Sequence, residues 1–153
     1  MTLQNGIPSV VEGIAFYPHI LVANERFTPV FYEVSLAVSD ETFDQFKSRG
    51  YVSCFPAGDR IFTPDPVITF RKFAYNKNGT PNPHPQLIDL EGKPVDVSIG
   101  NGSKMKIQWK HVEYKGGEKG IVKRPGLVAA QLVELVEYSG ESGTTFEDAA
   151  LEF

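Results

Sequence analysis

The stretch Lys104-Met105-Lys106-Ile107-Gln108-Trp109-Lys110-His111 alternates polar and apolar positions without a break. A period of two puts Met105, Ile107 and Trp109 on one face of a strand and Lys104, Lys106, Gln108 and Lys110 on the other. The same period recurs upstream. Residues 10–17 read as a first strand ended by Pro18. Residues 30–38 read as a second, with Tyr32, Val34, Leu36 and Val38 on one face and Glu33 and Ser35 on the other. In residues 67–75, Ile68, Phe70 and Ala74 oppose Thr69, Arg71, Phe73 and Tyr75. Val95, Val97 and Ile99 begin a strand that Gly100-Asn101-Gly102 bends before Lys104.

One segment breaks this period. Residues 40–49 carry Phe43 and Phe46 on one helical face. Ser39 or Asp40 caps the start, Asp40 and Glu41 sit at the positive end of the dipole, and Lys47 and Arg49 precede Gly50. So short a helix must be held by packing its two rings. It is expected to plug one end of a barrel or to cross between strands. The last apolar run, residues 127–138, is less decided by pattern. Gln131, Glu134 and Glu137 are three apart, which suits a helix. A strand is preferred, because Val128, Ala130 and Leu132 alternate and a bulge after Leu132 carries the alternation onward.

Between these elements lie loops. Residues 55–66 are punctuated by Pro and Gly, with room for a short strand near Arg60-Ile61-Phe62. Asn78-Gly79 marks a turn in residues 76–85, and Asp89 and Glu91 flank another before Pro94. A Gly- and Lys-rich loop covers residues 115–126. Strands that outnumber a single helix predict an all-β chain. Its expected form is a small closed five-stranded Greek-key barrel of the OB type over residues 1–138. Residues 139–153 form a separate tail.

Composition agrees with that class. At 153 residues the chain is one domain, able to bury roughly two-thirds of its unfolded surface. Eleven Phe and six Tyr among many Gly and Pro favour strands and turns over helices. The single cysteine, Cys54, excludes an internal disulfide and a cysteine-based zinc site, which suits a reducing compartment. No basic segment followed by an apolar one marks the N-terminus. No apolar run approaches the roughly 18 residues of a membrane span.

Charge changes the picture more. Residues 104–124 hold seven basic side chains against Glu113 and Glu118, a net of +5 in a chain whose total is −4. Residues 139–153 hold four acids, no base, and a terminal Phe153. Residues 1–138, the basic segment included, therefore sum to zero. A single-strand nucleic-acid binder needs cations for phosphates and flat rings for bases. Arg71, Phe73 and Tyr75 share one strand face. Lys104, Lys106, Lys110, Tyr114, Lys115, Lys123 and Arg124 add charge and a ring on the hairpin. The plainer alternative places Phe70 and Trp109 in the core and makes the lysines a solvated edge that discourages aggregation. Phe73 is balanced between core and base stacking. An acidic tail can be a mere solubiliser, but Phe146, Leu151 and Phe153 suit a docking peptide or a mimic of nucleic acid.

Enzymatic readings find little support. His19, His84 and His111 are scattered, with no HxxxH or HExxH spacing. The chain has no Gly-rich phosphate loop, GxSxG elbow or CxxC pair, so no catalytic residue, metal or cofactor is expected.

The ordered pieces resemble a known family. Gly13-Ile14-Ala15-Phe16-Tyr17-Pro18-His19-Ile20 is followed by Tyr32-Glu33-Val34-Ser35-Leu36. Pro83-His84-Pro85-Gln86-Leu87-Ile88-Asp89 precedes Gly92-Lys93-Pro94. Ile99-Gly100-Asn101-Gly102-Ser103 leads into the basic strand, and Ala130-Gln131-Leu132-Val133-Glu134-Leu135-Val136-Glu137-Tyr138 leads into the tail. In order and spacing these resemble the single-stranded DNA-binding proteins of bacteriophage replication systems. The resemblance implies an OB fold and sequence-tolerant coating of single-stranded DNA in replication, recombination and repair, in the cytoplasm of an infected bacterial host. It matches Lys104 and Lys106 to the basic strand of the family's groove and Phe153 to its terminal aromatic. It also implies that a tail including Glu147, Asp148, Glu152 and Phe153 contacts the phage DNA polymerase or helicase–primase; some members dimerise, through their tails or a barrel face, which leaves a homodimer open here. This tail is less acidic than is usual for the family. Two other readings stand beside it: a β-barrel virion or assembly protein with a docking tail and no DNA affinity, and a small nucleic-acid enzyme.

Overall fold

The computed structural model describes residues 3–26 and 28–137. Among these, nine strands follow in chain order. β1 (Leu3–Gln4) and β2 (Ile7–Pro8) form a small lead-in ribbon. β3 (Val10–Asn24), β4 (Phe31–Ala37), β6 (Val67–Phe73), β8 (Ser103–Lys115) and β9 (Ile121–Glu134) make the barrel. β5 (Cys54–Phe55) and β7 (Gln86–Ile88) are added at its margins. Neighbours run β5-β6-β4-β3-β8-β9-β7. A parallel bridge between Arg71 and Gly126 joins β6 to β9 and closes five strands into a barrel. The expected class, a closed five-stranded barrel of the OB type with one short helix, is what the described residues adopt.

The alternation in β8 has a direct cause. Met105, Ile107 and Trp109 are at most 1 % exposed, and Trp109 Nε1 donates to the Pro8 carbonyl at 2.8 Å. They join Val34 and Leu36 from β4, and Ile68 and Phe70 from β6, in one core. The helix α1 (Asp40–Ser48) is capped by the Ser39 hydroxyl, which accepts from the Thr42 amide. Its Phe46 ring lies 4.7 Å from Trp109 and meets Phe70 edge-on, so the helix plugs the barrel's end. Burying that ring, worth about 1.5–3 kcal/mol, holds a helix too short to stand alone.

Several expectations are corrected. The first strand does not stop at Pro18. It continues to Asn24, because its ladder with β4 slips between Phe16 and His19. Tyr17 turns to a φ of +52° there, and its amide donates to the Asn101 side chain at 2.6 Å instead of to a strand. A bulge tolerates a proline that has no N–H to give. No strand forms at residues 60–62; the added strand is Cys54–Phe55, paired with Ile68 and Val67. Residues 95–99 do not form one either. Only Ile99 bridges, to Glu137, and a Cβ on Gly100 would meet the Val136 carbonyl at 2.7 Å.

The Gly- and Lys-rich loop is shorter than its composition suggests. A 3-10 turn at Gly117–Lys119 reverses the chain, and β9 begins at Ile121 and runs through Pro125, opposite His111. The final run is a strand rather than a helix. Its register slips between Leu132 and Glu134, where the pattern puts a bulge. At Gly13 a Cβ would lie 2.2 Å from the Ala37 carbonyl, so the close approach of β3 and β4 requires glycine.

Candidate nucleic-acid interface

The length of β8 decides where its charges go. Residues 103–108 lie between β3 and the end of β9. Residues 109–115 pair with β9 alone, where β9 reaches across to β6. At about 3.4 Å per residue, Lys104 and Tyr114 are about 34 Å apart along the strand. Lys104 and Lys106 therefore look out beside β3, and Lys104 Nζ lies 3.2 Å from Glu12. Lys110 and Tyr114 look out on the other side, beside β6.

On that second side an aromatic and cationic cluster is assembled. Phe31 and Phe73 face each other across β4 and β6, with ring centroids 4.9 Å apart. The Arg124 guanidinium lies over Phe31, Phe73 and Tyr114, at 5.1, 5.0 and 5.2 Å. Arg124 is only 6 % exposed, and its Nε has no hydrogen-bond partner. No carboxylate of a described residue pairs with it. Burial pulls its pKa below the ordinary arginine value, the Tyr114 hydroxyl opposes that pull, and the charge on Arg71 adds to it. An unpaired buried cation is costly, so this one favours an approaching anion.

Next to it, Arg71 Nε donates to Glu33 Oε1 at 2.8 Å, and Asn24 Nδ2 donates to Glu33 Oε2 at 2.9 Å. The Arg71 guanidinium also sits 5.3 Å from the Phe31 ring centre. Beyond this pair a cleft of about 320 Å³ opens, lined by Tyr17, Arg26, Phe55, Arg60, Phe62 and Arg71 among others. Arg60 stacks over Phe55 at 3.6 Å, and Phe62 packs against Phe16 and Tyr17. The outer face of β3, β4, β6 and the β8–β9 hairpin thus carries rings and guanidinium groups in succession.

Of the residues singled out in the sequence, the fold brings Arg71, Phe73, Lys110, Tyr114 and Arg124 onto this face. Phe73 and Tyr114 are 43 % and 42 % exposed, which leaves ring surface for a base. Tyr75, 45 % exposed, lies just past β6 opposite Pro81. Lys110 lies close enough to Lys72 that its charge, after burial, lowers the Lys72 pKa. Lys115 stands exposed at the end of β8. Lys123 points away from Arg124, with its Nζ 5.8 Å from the Tyr51 ring. Lys104 and Lys106 are not part of the cluster. Trp109 is in the core, bonded to Pro8. Glu147, Asp148, Glu152 and Phe153 lie outside the described residues.

Phe31, Glu33, Phe55, Arg60 and Phe62 do not stand out in the sequence as site residues. Phe31 is findable there, since it alternates with Glu33 and Ser35. Phe55, Arg60 and Phe62 belong to a stretch without periodicity, and only the fold brings them to the face. Among the described residues no His, Cys, Asp and Glu side chains gather as metal ligands, and no helix is long and apolar enough to cross a membrane.

No family model matches the chain, and no curated protein does. Solved structures do. Gp2.5, a single-stranded DNA-binding protein encoded by bacteriophage T7, superposes with a TM-score of 0.62 at 20% identity, covering 88% of this chain and 89% of that one. The single-stranded DNA-binding protein from bacteriophage Enc34 superposes with a TM-score of 0.55 at 10% identity, over 95% and 93% of the two chains. Its complex with single-stranded DNA gives 0.53 at 12% identity, over 91% and 94%. Most of the chain thus shares the barrel of phage single-stranded DNA-binding proteins.

Proposed function

We propose that the chain is a non-catalytic, sequence-tolerant single-stranded DNA-binding protein. The observation that carries this is the Phe31–Phe73–Arg124–Tyr114 cluster: part-exposed rings around an unpaired buried cation, on the outer face of an OB-type barrel. Stacking on such rings contributes about 1–3 kcal/mol per base whatever the base. Arg71, Phe73, Lys110, Tyr114 and Arg124 form the path, joined by Phe31, Phe62 and Arg60, with Tyr75 just past the end of β6. Lys115 extends it at the end of the hairpin, and Lys123, turned towards Tyr51, lies off the path. Lys104 and Lys106 add charge on the far side of β8.

The likeness to phage proteins whose names state single-stranded DNA binding supports the same reading. In it, residues 1–138 are the binding domain, and the protein coats single strands during phage DNA replication and recombination in the host cytoplasm. The tail of residues 139–153, through Glu147, Asp148, Glu152 and Phe153, recruits the phage polymerase or helicase–primase.

The test is fluorescence anisotropy with a labelled oligo-dT across a salt series, using the full chain beside one ending at Tyr138. Each neutralised phosphate contributes about −0.7 to the log–log salt slope. Salt-dependent binding by both forms, tighter without the tail, supports the groove and a competing tail. Binding that ignores the truncation leaves the tail as a docking peptide alone. No binding by either form overturns the reading and favours the assembly-protein alternative.

A further inference from the structure

A groove built for a polyanion contains one acid at its centre. Glu33 projects from β4 between Asn24 and Arg71, and both of its oxygens are engaged, at 2.9 and 2.8 Å. Its side chain is 17 % exposed, against 37 % for Arg71. An acid placed there without a task would weaken binding by repelling phosphates. Its partners suggest a use. Arg71 and Arg124 lie close enough for one charge to disfavour the other, and both reach the Phe31 ring. Glu33 neutralises one of the two, while Arg124 keeps its charge uncompensated.

Resting on the single-stranded DNA reading above, we propose that Glu33 is a positioning residue of this groove. It cancels the charge of Arg71 and holds the guanidinium beside Phe31. The middle of the path then presents a flat, nearly neutral platform that takes a base. Phosphates are left to the uncompensated cations, Arg124 and Lys110, at its margin. Two arginines of one groove thus have different tasks: Arg124 supplies charge, and Arg71 supplies a stacking surface. A guanidinium stacks on aromatic planes as well as it pairs with anions, so this division is open to arginine in a way it is not to lysine.

Glu33→Gln removes the charge and keeps an oxygen able to accept from Arg71. The experiment is a salt series with labelled oligo-dT on the full chain, comparing wild type, Glu33→Gln and the double variant Glu33→Gln with Arg71→Gln, with a thermal melt on each. Glu33→Gln is expected to steepen the log–log slope by about 0.7 and to bind about fivefold tighter at about 0.1 M salt, as one freed cation reaches a phosphate. The double variant, which leaves no acid uncompensated, is expected to bind more weakly than wild type with the wild-type slope. A merely structural Glu33 would lower the melting temperature and the affinity without moving the slope, and that result overturns the proposal. A double variant whose slope is flatter than wild type by about 0.7 overturns it too, as does folded Glu33→Gln with a wild-type slope. Should Glu33→Gln not fold, the double variant, which also removes the unpaired cation, decides alone. Wild type that binds no DNA overturns the function itself, a result distinct from all of these.

Discussion

Replacing Phe73 with Ala separates binding from folding at the centre of the groove. The ring is 43 % exposed, so folding hides little more than half of it. Full burial of a Phe is worth about 1.5–3 kcal/mol, and the part hidden here about 1–1.5. The pair with Phe31, centroids 4.9 Å apart, adds about 0.5–1.5 kcal/mol. The variant should therefore lose about 1.5–3 kcal/mol, a fraction of the roughly 5–15 kcal/mol of an ordinary domain, and stay folded. A lost stacking platform costs about 1–3 kcal/mol of binding, or roughly 5- to 150-fold in Kd. Since no charge is removed, the salt slope should not change. Anisotropy titration with oligo-dT reads the affinity and slope, and a melt reads the fold. A folded Phe73→Ala protein with wild-type affinity would refute the claim that this ring stacks on a base.

Trp109→Ala, at a site 1 % exposed whose indole donates to Pro8, should cost about 3–5 kcal/mol of stability by urea unfolding; a change in DNA affinity with stability intact would contradict its place in the core. Lys104→Ala with Lys106→Ala should weaken binding and flatten the salt slope by less than about 0.7, because Lys104 already pairs with Glu12; a larger change on titrating the double variant would place both lysines at the heart of the site. Burial raises the Cys54 thiol from its ordinary 9.0 to about 11. The folded state then keeps a proton that the unfolded state loses, so stability should fall as pH rises from about 9 towards about 11. Urea unfolding across that range, with Cys54→Ala for comparison, checks the sign.

The barrel is legible in the sequence where one physical cause acts alone. Met105, Ile107 and Trp109 alternate because a half-buried strand sorts side chains by face, and Phe43 and Phe46 mark a helix for the same reason. Prolines mislead, because Pro18 and Pro125 read as strand breakers. Pro18 sits at a register slip, and Pro125 adjoins the one bridge that β9 makes to β6, where no second ladder asks for its N–H. The site is half legible. Arg71 and Phe73 share one face of a single strand. The neighbours that give them meaning, Phe31, Glu33 and Arg124, come from strands distant in sequence. The +5 of residues 104–124 reads as one patch, but a long strand curving around a barrel turns one alternating face towards two sides. Glu12, the acid that pairs with Lys104, arrives from β3 and leaves no local sign.

The DNA path proposed across Phe31, Phe73 and Tyr114 can be read by photocrosslinking. Oligo-dT carrying 5-iodouracil would be irradiated on the full chain, and the adducts mapped by mass spectrometry. Adducts are expected on Phe31, Phe73 and Tyr114, with Phe62 or Tyr17 further along the same face. Adducts confined to β8 and β3 around Lys104, Lys106 and Glu12 would place the DNA on the opposite side of the barrel and contradict it.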